Sequence, residues 1–201
     1  MYMKSMQQSN PGVGLMQMKE KCKNVLSRIR REMHLSLEMM VYLGMLTAVL
    51  EAGKMALNYL PNIEVVTLLL IVYSITLGWK TIYVAVVFTI LECFVWGFGL
   101  WTISYFYIWP GLVVGVCLCK RHQSVWFWSI FSGMFGLFFG AFCSIVYLFL
   151  GGIGTAFASW VSGIPFDLIH CAGNFVLMLV LYRPLLALLK KLNAMIRVQC
   201  R

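Results

Sequence analysis

Between residues 37 and 189 the sequence is a succession of long apolar runs, broken only by a few polar or glycine-rich positions. No other property limits the fold so tightly. A helix needs about 20 mostly apolar residues to cross a bilayer core. The runs fall at 37–58, 62–78, 80–98, 103–119, 125–150 and 163–189, with the second and fourth near the lower length limit. Apolar residues make up 61% of the chain and charged residues 11%, against about 45–50% and about 25% in a soluble domain. That gap excludes most soluble folds and a disordered chain. A porin-like barrel is excluded too, because the runs lack strict two-residue alternation. The sequence therefore predicts an all-α integral membrane protein, a compact six-transmembrane-helix bundle. Breaks are expected at Pro61 and Asn62, at Gly78 to Lys80, at Gly97 to Gly99, at Lys120 to His122 and at Gly151 to Gly154.

The net charge of +9 comes from 16 Lys and Arg that sit in short clusters between the runs. Such clustering points to membrane topology rather than to nucleic acid. If the N-terminus is cytoplasmic, 15 of the 16 cations lie on that side and only Lys54 is left over. Cytoplasmic loops carry the excess of Lys and Arg, so both termini are expected in the cytoplasm of a multi-pass plasma-membrane protein. The outside connections are then 59–62, 97–104 and 151–162. Residues 1–36 hold seven cations and no apolar core of signal-peptide type. Within them Leu15, Met18, Cys22, Val25, Leu26, Ile29 and Met33 recur at helical steps among Lys and Arg. That pattern fits a basic helix lying in the headgroup layer, or a solvated extension of the first membrane helix. The expected division is a basic cytoplasmic segment 1–36, a membrane domain 37–190 and a basic cytoplasmic tail 191–201.

Ionisable groups in hydrocarbon are costly and usually face a bundle interior or a wet cavity. Glu51, Lys54 and Asn58 share the spacing i, i+3, i+7, and Asp167, His170 and Asn174 repeat it. At about 100° per residue each trio occupies one narrow helix face. Glu92 lies one turn below Trp96, and Glu64 is placed outside. These groups converge on one outward-facing level. Either Glu51 or Asp167 could instead pair with Lys54. Trp96, Trp101 and Trp160 add aromatic surface at that level, above glycine-rich connections. Such interfaces favour Trp and Tyr anyway, but aromatic rings over a few polar groups also suit a small planar ligand. The expected substrate-binding residues are Asp167, Asn174, His170, Glu92, Trp96, Trp101, Trp160 and Glu64.

Two stripes of small residues stand out. Ala48, Ala52 and Ala56 lie about 130° around their helix from the Glu51 face, which points to an external partner. Gly133, Gly136, Gly140 and Ser144 form a second stripe, better suited to packing inside the bundle. The seven Cys are scattered without metal-ligand spacing. No phosphate loop, zinc-protease or serine-hydrolase motif is present. No catalytic residue, cofactor or metal is expected, and the chain is not expected to be an enzyme.

Over roughly residues 37–190 the chain resembles the S components of energy-coupling factor (ECF) vitamin transporters. The resemblance rests on the six-run pattern, the Ala48/Ala52/Ala56 stripe and the segment Leu60-Pro61-Asn62-Ile63-Glu64-Val65-Val66-Thr67. The turn Trp96-Gly97-Phe98-Gly99-Leu100-Trp101 and the segment Gly163-Ile164-Pro165-Phe166-Asp167-Leu168-Ile169-His170 add to it. It implies capture of a vitamin-like substrate outside the cell. It also implies docking through the small-residue stripe onto a transmembrane coupling protein with two ATPase subunits, and toppling in the membrane to release substrate. The pocket it implies is formed by the outer halves of helices four to six with the first and third outside connections. A stand-alone ion-coupled or facilitative transporter and a membrane enzyme using Asp167 and His170 are the other classes open at this stage.

Overall fold

The computed structural model describes residues 35–60 and 63–199, with Met16, Glu20, Lys23, Asn24 and Ser27 before them. The chain divides into two units, Met1–Ser36 and Leu37–Arg201. Of the first unit, Met16, Glu20, Lys23, Asn24 and Ser27 are helical and exposed. The apolar positions of the predicted basic helix lie outside the described residues, as do Pro61 and Asn62.

The second unit is built from helices α1 (Leu37–Ala56), α2 (Val66–Leu77), α3 (Thr81–Trp96), α4 (Leu100–Cys119), α5 (Val125–Leu137) and α6 (Phe139–Gln199). A 3-10 turn, Gly78–Lys80, joins α2 to α3. Helices and this turn are the regular elements among the described residues. Four stretches are long and apolar enough to cross a membrane: Leu37–Ala56, Val66–Trp96, Leu100–Cys119 and Val125–Ile196. They are compatible with membrane insertion. Outward-facing Phe94, Leu118, Phe149 and Ile153 are each more than two-thirds exposed. Large apolar side chains exposed to this degree suit a lipid-facing surface.

Two of the four stretches double back. The Gly140 amide donates to Asp167 Oδ1 at 2.9 Å across 27 residues, a separation of about 40 Å in a straight helix. The reversal falls at Gly152, whose φ of 74° and ψ of −174° leave the helical region. Left-handed φ values favour glycine, which lacks the Cβ that would clash. Glu64, two residues before the other stretch, and Glu92 near its end both lie close enough to Tyr105 to act on its phenol. A straight helix would hold them about 40 Å apart, so the chain turns at Gly78, with φ 65°.

Connections are shorter than the sequence predicts. Residues 151–162 are helical except at Gly152, so the expected outside loop shrinks to one turn and Pro165 lies inside α6. The loop around 97–104 shrinks to 97–99, because α4 begins at Leu100. Thr102 fastens that start, its Oγ1 accepting from the Gly99 amide at 2.7 Å. The run 125–150 is interrupted at Phe138, between α5 and α6. α6 continues through 191–199.

α2 is the central element. All residues from Val66 to Ser74 are buried, as befits a helix that is apolar all round, and α1, α3, α4 and α6 pack against it. Hydroxyl groups within these helices bond back to the preceding turn. Thr47 donates to the Leu43 carbonyl at 2.8 Å, Ser74 to Leu70 at 2.6 Å and Thr89 to Ala85 at 3.0 Å. Such bonds satisfy polar side chains where water is absent. The Gly133/Gly136/Gly140 stripe packs inside the bundle. A Cβ at Gly136 would lie 2.9 Å from the His170 backbone, and one at Gly133 would lie 3.4 Å from the Cys171 carbonyl. Small residues let apolar helices approach this closely. The Ala48/Ala52/Ala56 stripe is exposed.

Candidate functional site

The buried polar side chains form two clusters joined by an aromatic wedge. The first lies between α1 and α3. Leu50 and Glu51 bury the inner face of α1, and one turn on Lys54 reaches across to pair with Glu92 Oε2. Glu92 is fully buried, while the Lys54 side chain is 22% exposed. The ammonium also lies over two rings, 5.7 Å from the Phe88 centroid and 5.6 Å from that of Tyr105. Glu51 is buried close enough to feel the charges of Glu92 and Lys54. Its carboxyl group lies in hydrogen-bonding contact with that of Glu92, so the two can share a proton, and among the described residues no amide, hydroxyl or ammonium group donates to Glu51 or to Glu92 Oε1.

The second cluster gathers around α6. Asp167, His170 and Asn174 are all buried on the face that their spacing predicts. His170 Nε2 meets Glu64 Oε1 at 3.1 Å; an ionised carboxylate only accepts, so Nε2 carries the proton. Glu64 precedes α2 and also caps it, accepting from the Val66 amide at 3.1 Å and from Thr67 Oγ1 at 2.7 Å. A carboxylate is favourable at a helix N-terminus. Burial pushes the Glu64 carboxyl up, but hydrogen bonds from His170 and Thr67 prevail and hold it below the ordinary carboxylate value. Asp167 does not pair with Lys54. Its Oδ1 accepts from the Gly140 amide where the chain restarts after Phe138, and its Oδ2 is buried without a partner. Asn174 Nδ2 donates to the Ser132 carbonyl at 3.4 Å.

Tyr105 links the two halves. Its ring meets Trp101 at 5.2 Å, Trp109 at 5.3 Å and Phe139 at 6.3 Å, all edge-to-face. Phe139 in turn contacts the His170 ring at 4.9 Å. Edge-to-face pairs set a positive ring edge against a negative face, which fixes these rings relative to one another.

No family model, curated protein or solved structure matches the chain. Its chemistry is therefore read from these residues alone.

Of the predicted ligand-contacting residues, the fold gathers Glu64, Asp167, His170 and Asn174 around α6 and Glu92 opposite them, with Trp101 on Tyr105. Trp96 is about half exposed at the end of α3, and Trp160 packs edge-on against Phe157 at 6.3 Å. Asn58 is exposed beyond α1, so its trio reduces to Glu51 and Lys54. The sequence reading missed Tyr105, Trp109, Phe88 and Phe139. The first two were detectable, since Trp101, Tyr105 and Trp109 are spaced four apart on one helix face. No group of three metal-ligating side chains is gathered among the described residues. Two cavities of about 340 and 350 Å³ lie elsewhere, one beside Arg183 at the start of α5 and one between α4 and α5 against Phe131. Among the described residues, Lys54 pairs with Glu92 and His170 with Glu64, while Glu51 and Asp167 are buried nearby. The arrangement is thus acidic and aromatic, suited to holding a polar ligand with hydrogen-bond donors.

Proposed function

We propose that the chain is the substrate-capture subunit of an ATP-driven importer of the ECF type. In this reading it crosses the plasma membrane six times with both termini cytoplasmic, the reversals at Gly78 and Gly152 separating successive passes. It binds a small vitamin-like or heteroaromatic micronutrient at the extracellular side. It delivers the substrate by docking onto a transmembrane coupling protein with two ATPase subunits.

The division of α1 into two faces carries the reading. Glu51 and Lys54 turn inward to Glu92, while Ala48, Ala52 and Ala56 face outward. A helix with a polar inner face and a smooth outer one serves a ligand on one side and a close-packed helix on the other. The outer stripe is flanked by exposed Val41, Met45 and Val49, which give an incoming helix apolar walls.

Native mass spectrometry of the detergent-purified chain tests the capture role directly, since a bound small molecule is expected. Co-expressed with a coupling protein and its ATPases, the wild-type chain is expected to purify with them, and Ala52→Trp is expected to lose them while still binding the molecule. Transport of that molecule into vesicles by the purified chain alone would refute the capture role and favour a stand-alone transporter.

A further inference from the structure

The cavity beside Arg183 has a polar end and an apolar one. It measures about 340 Å³ and is lined by Gln123, Ser124 and Trp126 at the start of α5 and by Leu179 and Arg183 on α6. Phe175, Leu179 and Arg183 follow one another at steps of four, so they form a single stripe along α6. The stripe begins apolar and ends in a guanidinium. Trp126 walls its apolar part, with its ring centroid 6.4 Å from that of Phe175. Val176 and Val180, next to the stripe, are more than half exposed, which leaves an apolar track open to the outside of the bundle. Among the described residues the carboxylates in ion pairs belong to Glu64 and Glu92, held by His170 and Lys54, and Arg183 is paired with neither. Lys120 and Arg121, also exposed, lie just before Gln123. The Ser124 side chain makes no capping bond to α5.

The depth of the cavity matches its chemistry. The chain reverses at Gly152, 27 residues after Val125 and 31 before Arg183. At about 1.5 Å per residue the two limbs run roughly 40–46 Å from that turn, against about 40–45 Å for a bilayer with its headgroups. A turn in one headgroup layer therefore puts the cavity in the other. Trp126 is largely exposed there, and tryptophan favours that layer.

We propose that this cavity holds the phosphate of an anionic phospholipid, with Arg183 on the phosphate and an acyl chain along Leu179 and Phe175. A guanidinium presents parallel N–H donors that match phosphate oxygens, and Gln123 and Ser124 offer neutral donors at the same end. A choline headgroup would bring a cation of its own into a basic site. A free phosphate would fill the polar end and leave the apolar track bare. In the proposed topology the lipid belongs to the cytoplasmic leaflet, whose anionic surface attracts basic segments. The site stands independently of the capture role.

Native mass spectrometry of the detergent-purified full-length protein tests this, with phosphatidylglycerol and phosphatidylcholine of equal chain length added in equal amounts. Phosphatidylglycerol is expected to be retained in preference. Arg183→Gln changes an exposed side chain and is expected to fold. It should lower phosphatidylglycerol retention by about tenfold to a hundredfold, the range of one charge-assisted hydrogen bond, and Arg183→Lys should recover part of the loss. Lys80→Gln removes the same charge from the turn before α3, outside the cavity lining, and should leave retention unchanged. In phosphatidylcholine vesicles holding a small fraction of chain-brominated phosphatidylglycerol, Trp fluorescence should be quenched, and Trp126→Phe and Arg183→Gln should each lose that quenching.

Equal retention of the two lipids would overturn the charge assignment. Undiminished retention by Arg183→Gln, or an equal loss with Lys80→Gln, would overturn the site. Quenching that survives Trp126→Phe would put the lipid elsewhere on the bundle. Displacement of bound phosphatidylglycerol by inorganic phosphate, but not by sodium chloride of equal ionic strength, would show that the phosphate alone is read and would overturn the lipid assignment.

Discussion

Replacing Gly136 with alanine probes how the polar side chains of α6 are held in place. An added Cβ would lie 2.9 Å from the carbonyl carbon and oxygen of His170 and 3.0 Å from Asn174 Nδ2. Ordinary contact needs about 3.5–4.0 Å, so one helix must retreat by about 0.6–1 Å. The obstacle is backbone, which cannot rotate aside. His170 would move with it, and its contact with Glu64, now 3.1 Å, would stretch beyond the roughly 3.2 Å limit of a good N–H···O bond. Overpacking costs about 1–3 kcal/mol, and weakening a charge-assisted bond adds about 1 kcal/mol or more. A total of about 2–4 kcal/mol is expected. At about 2–4 °C per kcal/mol for a chain of this size, thermal unfolding in detergent should begin several degrees lower. Gly44→Ala is the control, because nothing lies within 4 Å of a Cβ there. That variant should melt at or slightly above the wild-type temperature, helped by alanine's better helix propensity. If Gly136→Ala melts like the control, α5 and α6 are not packed as closely as described.

Two other perturbations probe charge and topology. Lys54→Met leaves Glu92 buried without its ammonium and should cost about 3–5 kcal/mol, most of it recovered when Glu92→Gln is added; additive losses in the double-mutant cycle would show that the pair does not interact. With the seven native cysteines replaced, Ile153→Cys should label from outside intact cells and Gln123→Cys should not, and the opposite pattern would reverse the proposed orientation.

The sequence was most informative where the determining geometry is local. Asp167, His170 and Asn174 share a helix face by spacing alone, and all three are buried. The partners of these groups were not legible, because they come from distant elements. Glu64 and His170 are separated by 106 residues, and the choice of Glu92 over Glu51 or Asp167 for Lys54 depends on how α1 crosses α3. Charge counting offered Glu51 or Asp167 to Lys54 and reserved Glu92 for ligand contact. The glycine-rich stretch from Gly151 to Gly154 misled for a different reason. Glycine costs about 1 kcal/mol relative to alanine in a helix, which argues for a loop. In apolar surroundings a non-helical segment leaves backbone amides and carbonyls unpaired, at several kcal/mol each. The second cost is larger, so the helix resumes immediately after the one residue that must turn.

The same comparison of costs bears on the acidic interior. Stability alone gives little reason for Glu51, because apolar replacements of buried ionisable groups are often neutral or stabilising. The Lys54–Glu92 pair would be complete without it. Asp167 differs: its Oδ1 caps the Gly140 amide, so part of its role is structural, and only Oδ2 is unassigned. Glu64 is further committed, since it caps α2 and holds His170. The four carboxylates therefore fall in an order of decreasing freedom, from Glu51 through Glu92 Oε1 and Asp167 Oδ2 to Glu64. A ligand seeking acceptors would meet the α1–α3 side of the bundle first, and α6, which the sequence favours for contact, would contribute mainly the fixed wall that His170 and Phe139 build against Tyr105.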